Sequence, residues 1–296
     1  MATYEEIYGK RVKEFDSDPT LDSNYEGQVW YNSATGTLKS VVAFESTSSA
    51  SSMTTGRVQG GGGGTQTDGF GAGGYTTTNV AITEEYNGTG FSAGGDLTSG
   101  RRAMGGTGVT PAGLVFGGYG SSTSYGNTEK YNGTSYSEVA DMSTGRRYVA
   151  GFGTQTAAVC AGGSTPPGRV TAVEEFNGSS WGSNPNSLPT AVQGNRGTGT
   201  ATAGLVFGGN TGSGGATTAA AFEFDGTSFA NPSTMNTSRQ GLGGAGTQTA
   251  SLAYGGTTGA PASIKTETES YNGTSWTNSP TPLLTPRHVM GAAGTS

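Results

Sequence analysis

The sequence predicts an all-β protein built from repeats of four short strands. Double glycines recur along the chain, and each is followed by an aromatic residue, then Asn or Asp, then glycine, at 86–88, 131–133, 176–178, 224–226 and 271–273. The double glycines begin at Gly73, Gly117, Gly162, Gly208 and Gly255, in steps of 44, 45, 46 and 47 residues. A period of this size, with strand-like segments between its markers, is typical of a β-propeller in which each repeat is one blade.

Composition alone would indicate disorder. The chain of 296 residues has 55 glycines, 31% hydrophobic residues and a mean hydropathy of −0.40, which is little material for a core. However, a second aromatic residue falls five positions after each hairpin aromatic, and disorder would not require that register. These second aromatics are Phe91, Tyr136, Trp181, Phe229 and Trp276.

The Asn-Gly pairs predict tight hairpins between the third and fourth strands. A two-residue turn needs positive φ at both central positions, which Asn, Asp and Gly adopt at least cost. Such a turn would place Tyr136 opposite Glu129.

One repeat, residues 146–188, divides into four antiparallel strands joined by a Thr-Gln-Thr turn, a Pro-Pro-Gly loop and the Asn-Gly turn. The same division fits 57–97, 101–141, 192–234 and 239–283. Four antiparallel strands make one propeller blade.

The fragments at the two ends predict a sixth blade. Residues 287–295 match the first strand of a repeat, and residues 28–52 contain three strand-like segments. We therefore expect a six-bladed propeller over residues 26–296, closed by one C-terminal strand and three N-terminal strands, because closure removes exposed sheet edges. Residues 1–25 would form an N-terminal extension.

Two charged positions recur with the repeat and are lost together in the fourth blade, where Val192 and Phe222 replace them. One interpretation is a ring of anion-binding arginines. We favour buried structural ion pairs, because an unpaired buried charge costs several kcal/mol and both partners must then change together. The residues are Arg57, Arg101, Arg146, Arg239 and Arg287, with Glu84, Glu129, Glu174 and Glu269.

The N-terminal extension begins with a possible capping box, Thr3 with Glu6, which predicts a short helix through about Phe15. Its apolar residues fall at helical spacing and could pack on the propeller or anchor the chain in a larger assembly. This candidate anchor consists of Tyr4, Ile7, Tyr8 and Val12.

No motif supports catalysis, a cofactor or a metal. His288 is the only histidine and Cys160 the only cysteine, so ordinary zinc or copper ligand sets are absent. Gly60 to Gly64 lacks the Lys-Ser/Thr continuation of a phosphate loop and aligns with a first strand. A net charge of −6 without a basic stripe argues against nucleic acid. No leader or transmembrane stretch is evident, so we expect synthesis in the host cytoplasm and no membrane insertion.

The glycine doublets, the fourth-strand aromatics and the blade-start arginines resemble the kelch-repeat family of β-propellers over about residues 28–296. The segment 26–39, EGQVWYNSATGTLK, resembles a short motif of tailed-bacteriophage tail and fibre proteins. The repeat text EEFNGSSW at 174–181 is similar to kelch-like virion proteins of phages. The resemblance to kelch proteins does not imply a copper oxidase, because the histidine ligands are missing.

These resemblances imply a non-enzymatic virion protein, in the tail or fibre, used for assembly or for attachment to a host-surface glycan. Its partners would be other virion proteins in multiple copies, and its location the virion. Two alternatives remain: a glycan-cleaving propeller enzyme, which would need carboxylates gathered at one mouth of the ring, and an intracellular bacterial kelch scaffold.

Overall fold

The computed structural model describes residues 13–17, 29–40, 48–212, 216–231, 233–259 and 263–289. The chain divides into two compact units, Met1–Thr47 and Ser48–Ser296. The sequence predicted a boundary between residues 25 and 26 instead. No helix in the described ranges is long and apolar enough to cross a membrane.

The first unit contains a three-stranded sheet of β1 (Lys13–Phe15), β2 (Val29–Asn32) and β3 (Thr37–Ser40). Strand β1 pairs with β2 in parallel, and β2 pairs with β3 as an antiparallel hairpin. Trp30 and Asn32 are buried whereas Val29 and Tyr31 are exposed, the alternation expected of a strand with one covered face.

Two predictions for the N-terminal region are corrected by this sheet. The predicted helix does not reach Phe15, because residues 13–15 form a strand. The sequence assigned β2 and β3 to a sixth blade, whereas β2 pairs with β3 on one edge and with β1 on the other. The anchor residues Tyr4, Ile7, Tyr8 and Val12 lie outside the described residues.

In its described residues, the second unit contains five four-stranded antiparallel sheets, each with its strands in chain order, which we number blade 1 to blade 5. The predicted four-strand division of the repeats is therefore confirmed. Blade 1 comprises β4 (Gly61–Gly64), β5 (Gly69–Tyr75), β6 (Asn79–Tyr86) and β7 (Phe91–Ala93). Blade 2 comprises β8 (Gly105–Val109) and β9 (Ala112–Phe116), then, after the hairpin β10 (Tyr119–Gly120) and β11 (Thr123–Ser124), β12 (Thr128–Tyr131) and β13 (Tyr136–Val139).

The remaining blades repeat this plan. Blade 3 comprises β14 (Ala150–Gly153), β15 (Ala158–Ala161), the hairpin β16 (Ser164–Thr165) and β17 (Gly168–Arg169), then β18 (Val173–Phe176) and β19 (Trp181–Asn184). Blade 4 comprises β20 (Arg196–Thr200), β21 (Ala203–Phe207), β22 (Ala221–Phe224) and β23 (Phe229–Ala230). Blade 5 comprises β24 (Gly243–Gly246), β25 (Ser251–Tyr254), the hairpin β26 (Thr257–Thr258) and β27 (Ser263–Ile264), then β28 (Thr268–Tyr271) and β29 (Trp276–Asn278).

The predicted hairpin register is wrong. Tyr136 pairs with Tyr131, and Glu129 pairs with Glu138, so the loop has four residues rather than two. The reason is the Asn132 side chain, whose Oδ1 accepts the backbone N–H groups of Thr134 and Ser135 and so stabilises a wider turn. The two aromatic rings are thereby brought into contact, with their centroids 4.6 Å apart and their planes tilted by 31°.

We call the first strand of each blade its inner strand. Five residues that shortly precede the inner strands of blades 1 to 5, together with Val289, form a cycle of backbone hydrogen bonds. Each N–H donates to the carbonyl of the equivalent residue one blade earlier, over N–O distances of 2.6–3.0 Å, and Gln59 donates to Val289 to complete the cycle. All six have positive φ, between 53° and 65°, which few side chains tolerate. The six are Gln59, Ala103, Tyr148, Gly194, Gly241 and Val289.

Glycine permits the inner strands to touch one another. A Cβ added to Gly106 would lie 2.4 Å from the backbone nitrogen of Gly62 in the preceding blade, and one added to Gly63 would lie 2.5 Å from the carbonyl oxygen of Gly108. Side chains would therefore collide where neighbouring inner strands meet. Gly61 and Gly63 face blade 2 in this way, whereas a Cβ on Gly62 or Gly64 would collide with backbone atoms of blade 1 itself. The prediction that this glycine-rich segment aligns with a first strand is confirmed by β4.

The apolar core lies between successive blades rather than on an axis. Four buried clusters join blades 1 and 2, 2 and 3, 3 and 4, and 4 and 5. Cys160 belongs to the cluster between blades 2 and 3, and burial raises the pKa of its thiol to about 11. The bulky inward residues include Phe116, Phe152, Phe207 and Phe224, all fully or almost fully buried.

We expect Gly106→Ala to lower the free energy of unfolding by about 1–3 kcal/mol, because the new methyl group overpacks against the Gly62 backbone. Urea denaturation measures the loss. The matched control is Gly182→Ala in β19, where a Cβ would meet nothing within 4 Å, and it should change stability by less than about 0.5 kcal/mol. Equal effects of the two substitutions would contradict close contact between the inner strands.

Candidate functional site

The structure brings together four of the predicted Arg–Glu pairs, each within one blade. Arg57 pairs with Glu84, Arg101 with Glu129 (2.5 Å), Arg146 with Glu174 (2.8 Å) and Arg239 with Glu269 (2.7 Å). Every one of these side chains is at most 3% exposed. Charges this deeply buried are tolerated only when paired and hydrogen-bonded.

Each glutamate also fixes the segment that leads into its blade. Glu174 Oε2 accepts the backbone N–H and the hydroxyl of Ser143, while Arg146 Nη1 donates to the carbonyls of Gly162 and Ala172. The pair thus joins the entering segment, the end of the second strand and the third strand.

The other blade-start positions differ. Arg287 is exposed, and its Nε donates to the Thr285 hydroxyl rather than to a carboxylate. In blade 4 the structure places Val192 and Phe222 in one apolar cluster, so the space of a buried ion pair is filled by hydrocarbon.

Burial raises the pKa of Glu84, but hydrogen bonds from Thr54, Arg57 and Thr55 outweigh it and leave that pKa below its ordinary value.

Tyrosine and glutamine side chains join neighbouring blades. The Tyr131 hydroxyl donates to Glu85 Oε1 of blade 1, and burial together with this bond raises the pKa of Tyr131 to about 12. Tyr271 and Glu223 repeat the arrangement between blades 5 and 4. The Gln155 amide donates to the carbonyls of Gly113 and Tyr131 in blade 2.

An open cleft of about 430 Å³ lies between the outer edge of blade 3 and the hairpin of blade 4, within the size range of small-ligand sites. Its lining combines Trp181, Pro185 and two glycines with polar side chains, which include those of Glu175, Ser183, Asn184, Asn186 and Thr227. Trp181 is half-buried and packs on Phe176, with ring centroids 5.2 Å apart. A partly exposed indole beside hydroxyl and amide groups is suited to a sugar.

The depression at the hydrogen-bond cycle is much smaller, about 60 Å³. Because one water occupies about 30 Å³ of the liquid, this depression is too small for a sugar ring. In the described ranges, no group of three or more His, Cys, Asp or Glu could hold a metal ion. His288 is exposed.

Two further arginines escaped the sequence interpretation. Arg102 and Arg147 directly follow the ion-paired Arg101 and Arg146, and their guanidinium groups stack on the rings of Tyr75 and Tyr119. The signal was visible as Arg-Arg doublets at 101–102 and 146–147 and as Gly-Gly-Tyr at 73–75 and 117–119.

The repeated four-stranded antiparallel sheets give the chain an all-β, propeller-like fold. The solved structure of YjhT, a kelch-type propeller protein, superposes with a TM-score of 0.69 over 81% of this chain and 88% of that one, at 13% sequence identity. That likeness concerns the fold alone. No protein-family model matches the chain, and no curated protein matches it in sequence.

We expect Glu129→Ala to cost about 3–5 kcal/mol of unfolding free energy, because it leaves the buried Arg101 without its counter-charge. The double variant R101V/E129F copies Val192 and Phe222 and should lose less than Glu129→Ala alone. Urea denaturation of the single and double variants measures the coupling.

Glu138→Ala is the control, because Glu138 lies opposite Glu129 in β13 but is exposed. It should cost less than about 1 kcal/mol. Strictly additive losses for R101V and E129F would show that the two charges do not stabilise the blade as a pair.

Proposed function

We propose that the second unit is a six-bladed ring whose sixth position begins with the C-terminal segment. Val289 occupies the sixth place of the hydrogen-bond cycle, and Gly256 donates to the Arg287 carbonyl as Gly209 donates to that of Arg239.

Val289→Pro should lower the free energy of unfolding by about 3 kcal/mol, because proline has no N–H for the Gly241 carbonyl and cannot adopt positive φ. Val289→Gly removes the same side chain but keeps the N–H and favours this φ, so it is the control and should change stability by less than about 1 kcal/mol. Thermal unfolding measures both. Identical transitions for the proline variant and the wild type would refute closure through Val289.

For the biological role, we propose a non-enzymatic virion protein of a tailed phage, in the tail or fibre, that contacts other virion proteins in multiple copies. The support is the resemblance of residues 26–39 and 174–181 to phage virion proteins. Buried ion pairs that stabilise the blades from within also suit an architectural role.

The blade 3 cleft favours attachment to a host-surface glycan as part of this role. Its volume, its indole and its hydroxyl and amide groups match the requirements of sugar recognition. Asn184 and Asn186 both donate to the Thr227 carbonyl, which fixes the two walls relative to each other. The cleft is the single observation on which the attachment proposal depends.

Cleavage of the glycan is the less favoured alternative. Glycoside hydrolysis generally requires a pair of carboxyl groups, one on each side of the scissile bond. Among the described residues that line the cleft, Glu175 is the one carboxylate. Glu175 is also engaged by the amide of Asn184. An intracellular bacterial kelch scaffold is the other alternative, and no feature of the cleft favours it.

The proposal predicts that the protein binds host polysaccharide without releasing reducing ends. Ser183→Tyr should fill the cleft and weaken binding at least tenfold, measured by calorimetry. Ser137→Tyr, at an exposed serine of the edge strand β13 in blade 2, is the matched control and should bind as the wild type does.

Turnover that disappears in Glu175→Gln would show a glycan-cleaving enzyme instead. Equal binding by the Ser183 and Ser137 variants would place the glycan elsewhere. Absence of the chain from purified particles, determined by mass spectrometry, would contradict the virion assignment.

A further inference from the structure

Four side chains from blades 1 to 3 form an alternating stack of tyrosine and arginine. The Arg102 Cζ lies 4.2 Å from the ring centroid of Tyr75 and 5.3 Å from that of Tyr119. The Arg147 Cζ lies 4.6 Å from the same Tyr119 centroid. Because both arginines flank one ring, a single ligand can reach both of them. We call Tyr75, Arg102, Tyr119 and Arg147 the arginine–tyrosine stack.

The backbone places these residues on one edge of the blades. Arg102 forms an antiparallel bridge with Tyr119, and Arg147 forms the equivalent bridge with Ser164. Each bridge joins the residue before an inner strand to the residue after a glycine doublet. The stack therefore lies next to the hydrogen-bond cycle. Its residues belong to different elements from those that line the blade 3 cleft.

Neither arginine of the stack has a counter-charge. Within the described residues, Arg102 and Arg147 form no ion pair and their guanidinium groups donate no hydrogen bond. Their Nε atoms are buried without an acceptor. Their terminal nitrogens are not among the buried atoms, so these nitrogens can reach a ligand.

The nearby carboxylates are already engaged. Glu84, Glu129 and Glu174 each pair with the blade-start arginine of their own blade. Arg102 and Arg147 differ from the arginines of these internal pairs, because their guanidinium N–H groups are not donated to a carboxylate in the described residues. The chain has a net charge of −6, whereas the two guanidinium groups that contact the Tyr119 ring make the stack locally positive.

We propose that the arginine–tyrosine stack binds the carboxylate of an acidic sugar, such as a uronic acid unit of a polysaccharide. Tyrosine rings cover the guanidinium faces, which leaves the planar edges for the two oxygens of a carboxylate. This inference rests on the proposed attachment to glycans and adds the charge of the glycan.

The experiment compares oligogalacturonate with its methyl ester, which has the same sugar backbone without the charge. Calorimetry should show binding of the acid and at least tenfold weaker binding of the ester. Arg147→Gln and Arg102→Gln should each weaken binding of the acid at least tenfold. Lys265→Gln removes one positive charge outside the stack, where Lys265 pairs with Glu267, and it should bind as the wild type does.

The Ser183→Tyr variant distinguishes binding at the arginine–tyrosine stack from binding at the blade 3 cleft. Its substitution should block the cleft alone, so the variant should still bind oligogalacturonate. Arg147 contacts only one ring of the stack, so Arg147→Gln decides the result if Arg102→Gln fails to fold. Equal affinity for the acid and the ester, no binding of either, or an equal loss in Lys265→Gln would overturn the proposal. Poly-glutamate of matched charge that binds as tightly as the acid sugar would assign the site to acidic peptides instead.

Discussion

The close approach of the inner strands is the constraint on which the second unit depends. Gly106 and Gly63 lie against the backbone of the adjacent blade, where a Cβ would come within 2.4–2.5 Å of backbone atoms. The same requirement appears at the cycle of six hydrogen bonds, in which each residue takes a positive φ so that its N–H and carbonyl point to its two neighbours. At these contacts backbone groups, rather than side chains, lie against the neighbouring blade, and apolar burial is found elsewhere between the blades.

The Arg–Glu pairs follow from that arrangement. An inner strand of glycines has few side chains with which to fix its own position, so the segment that precedes it has to be held by other contacts. Glu129 holds it in blade 2 by accepting from the Thr98 backbone N–H while pairing with Arg101. In blade 4, Val192 and Phe222 achieve a similar result through the apolar cluster shared with blade 3. Either solution needs both partners, which is why the sequence changes them together.

The sequence predicts the repeated parts of this structure, because the same residues recur at the same positions in each repeat and support the same assignment several times. The sequence left open whether Arg101 or Arg146 pairs with Glu129, and the coordinates decide for Arg101. The four-strand division and the presence of buried Arg–Glu pairs depend on periodic residues and could be read without coordinates. The hairpin register could not, because it depends on a choice between two turns that Asn132 permits, and the side-chain hydrogen bonds to Thr134 and Ser135 decide it. The pairing of β2 with β1 was equally inaccessible, since a short alternating strand does not specify its neighbour.

The arginine–tyrosine stack shows how one symmetric backbone can carry an asymmetric surface. The residue after each blade-start position is Val58, Arg102, Arg147, Gln193, Gln240 or His288, and in blades 1 to 5 it makes the same antiparallel bridge whatever its side chain. In blades 1 to 5 the preceding residue has no such freedom, because its side chain is buried with a glutamate or an apolar partner. Successive residues of an extended segment point to opposite sides, so the doublet Arg101-Arg102 puts one guanidinium inside the blade and the other in the stack. Only the second can vary between blades without a loss of stability, and chemical recognition is expected at such positions.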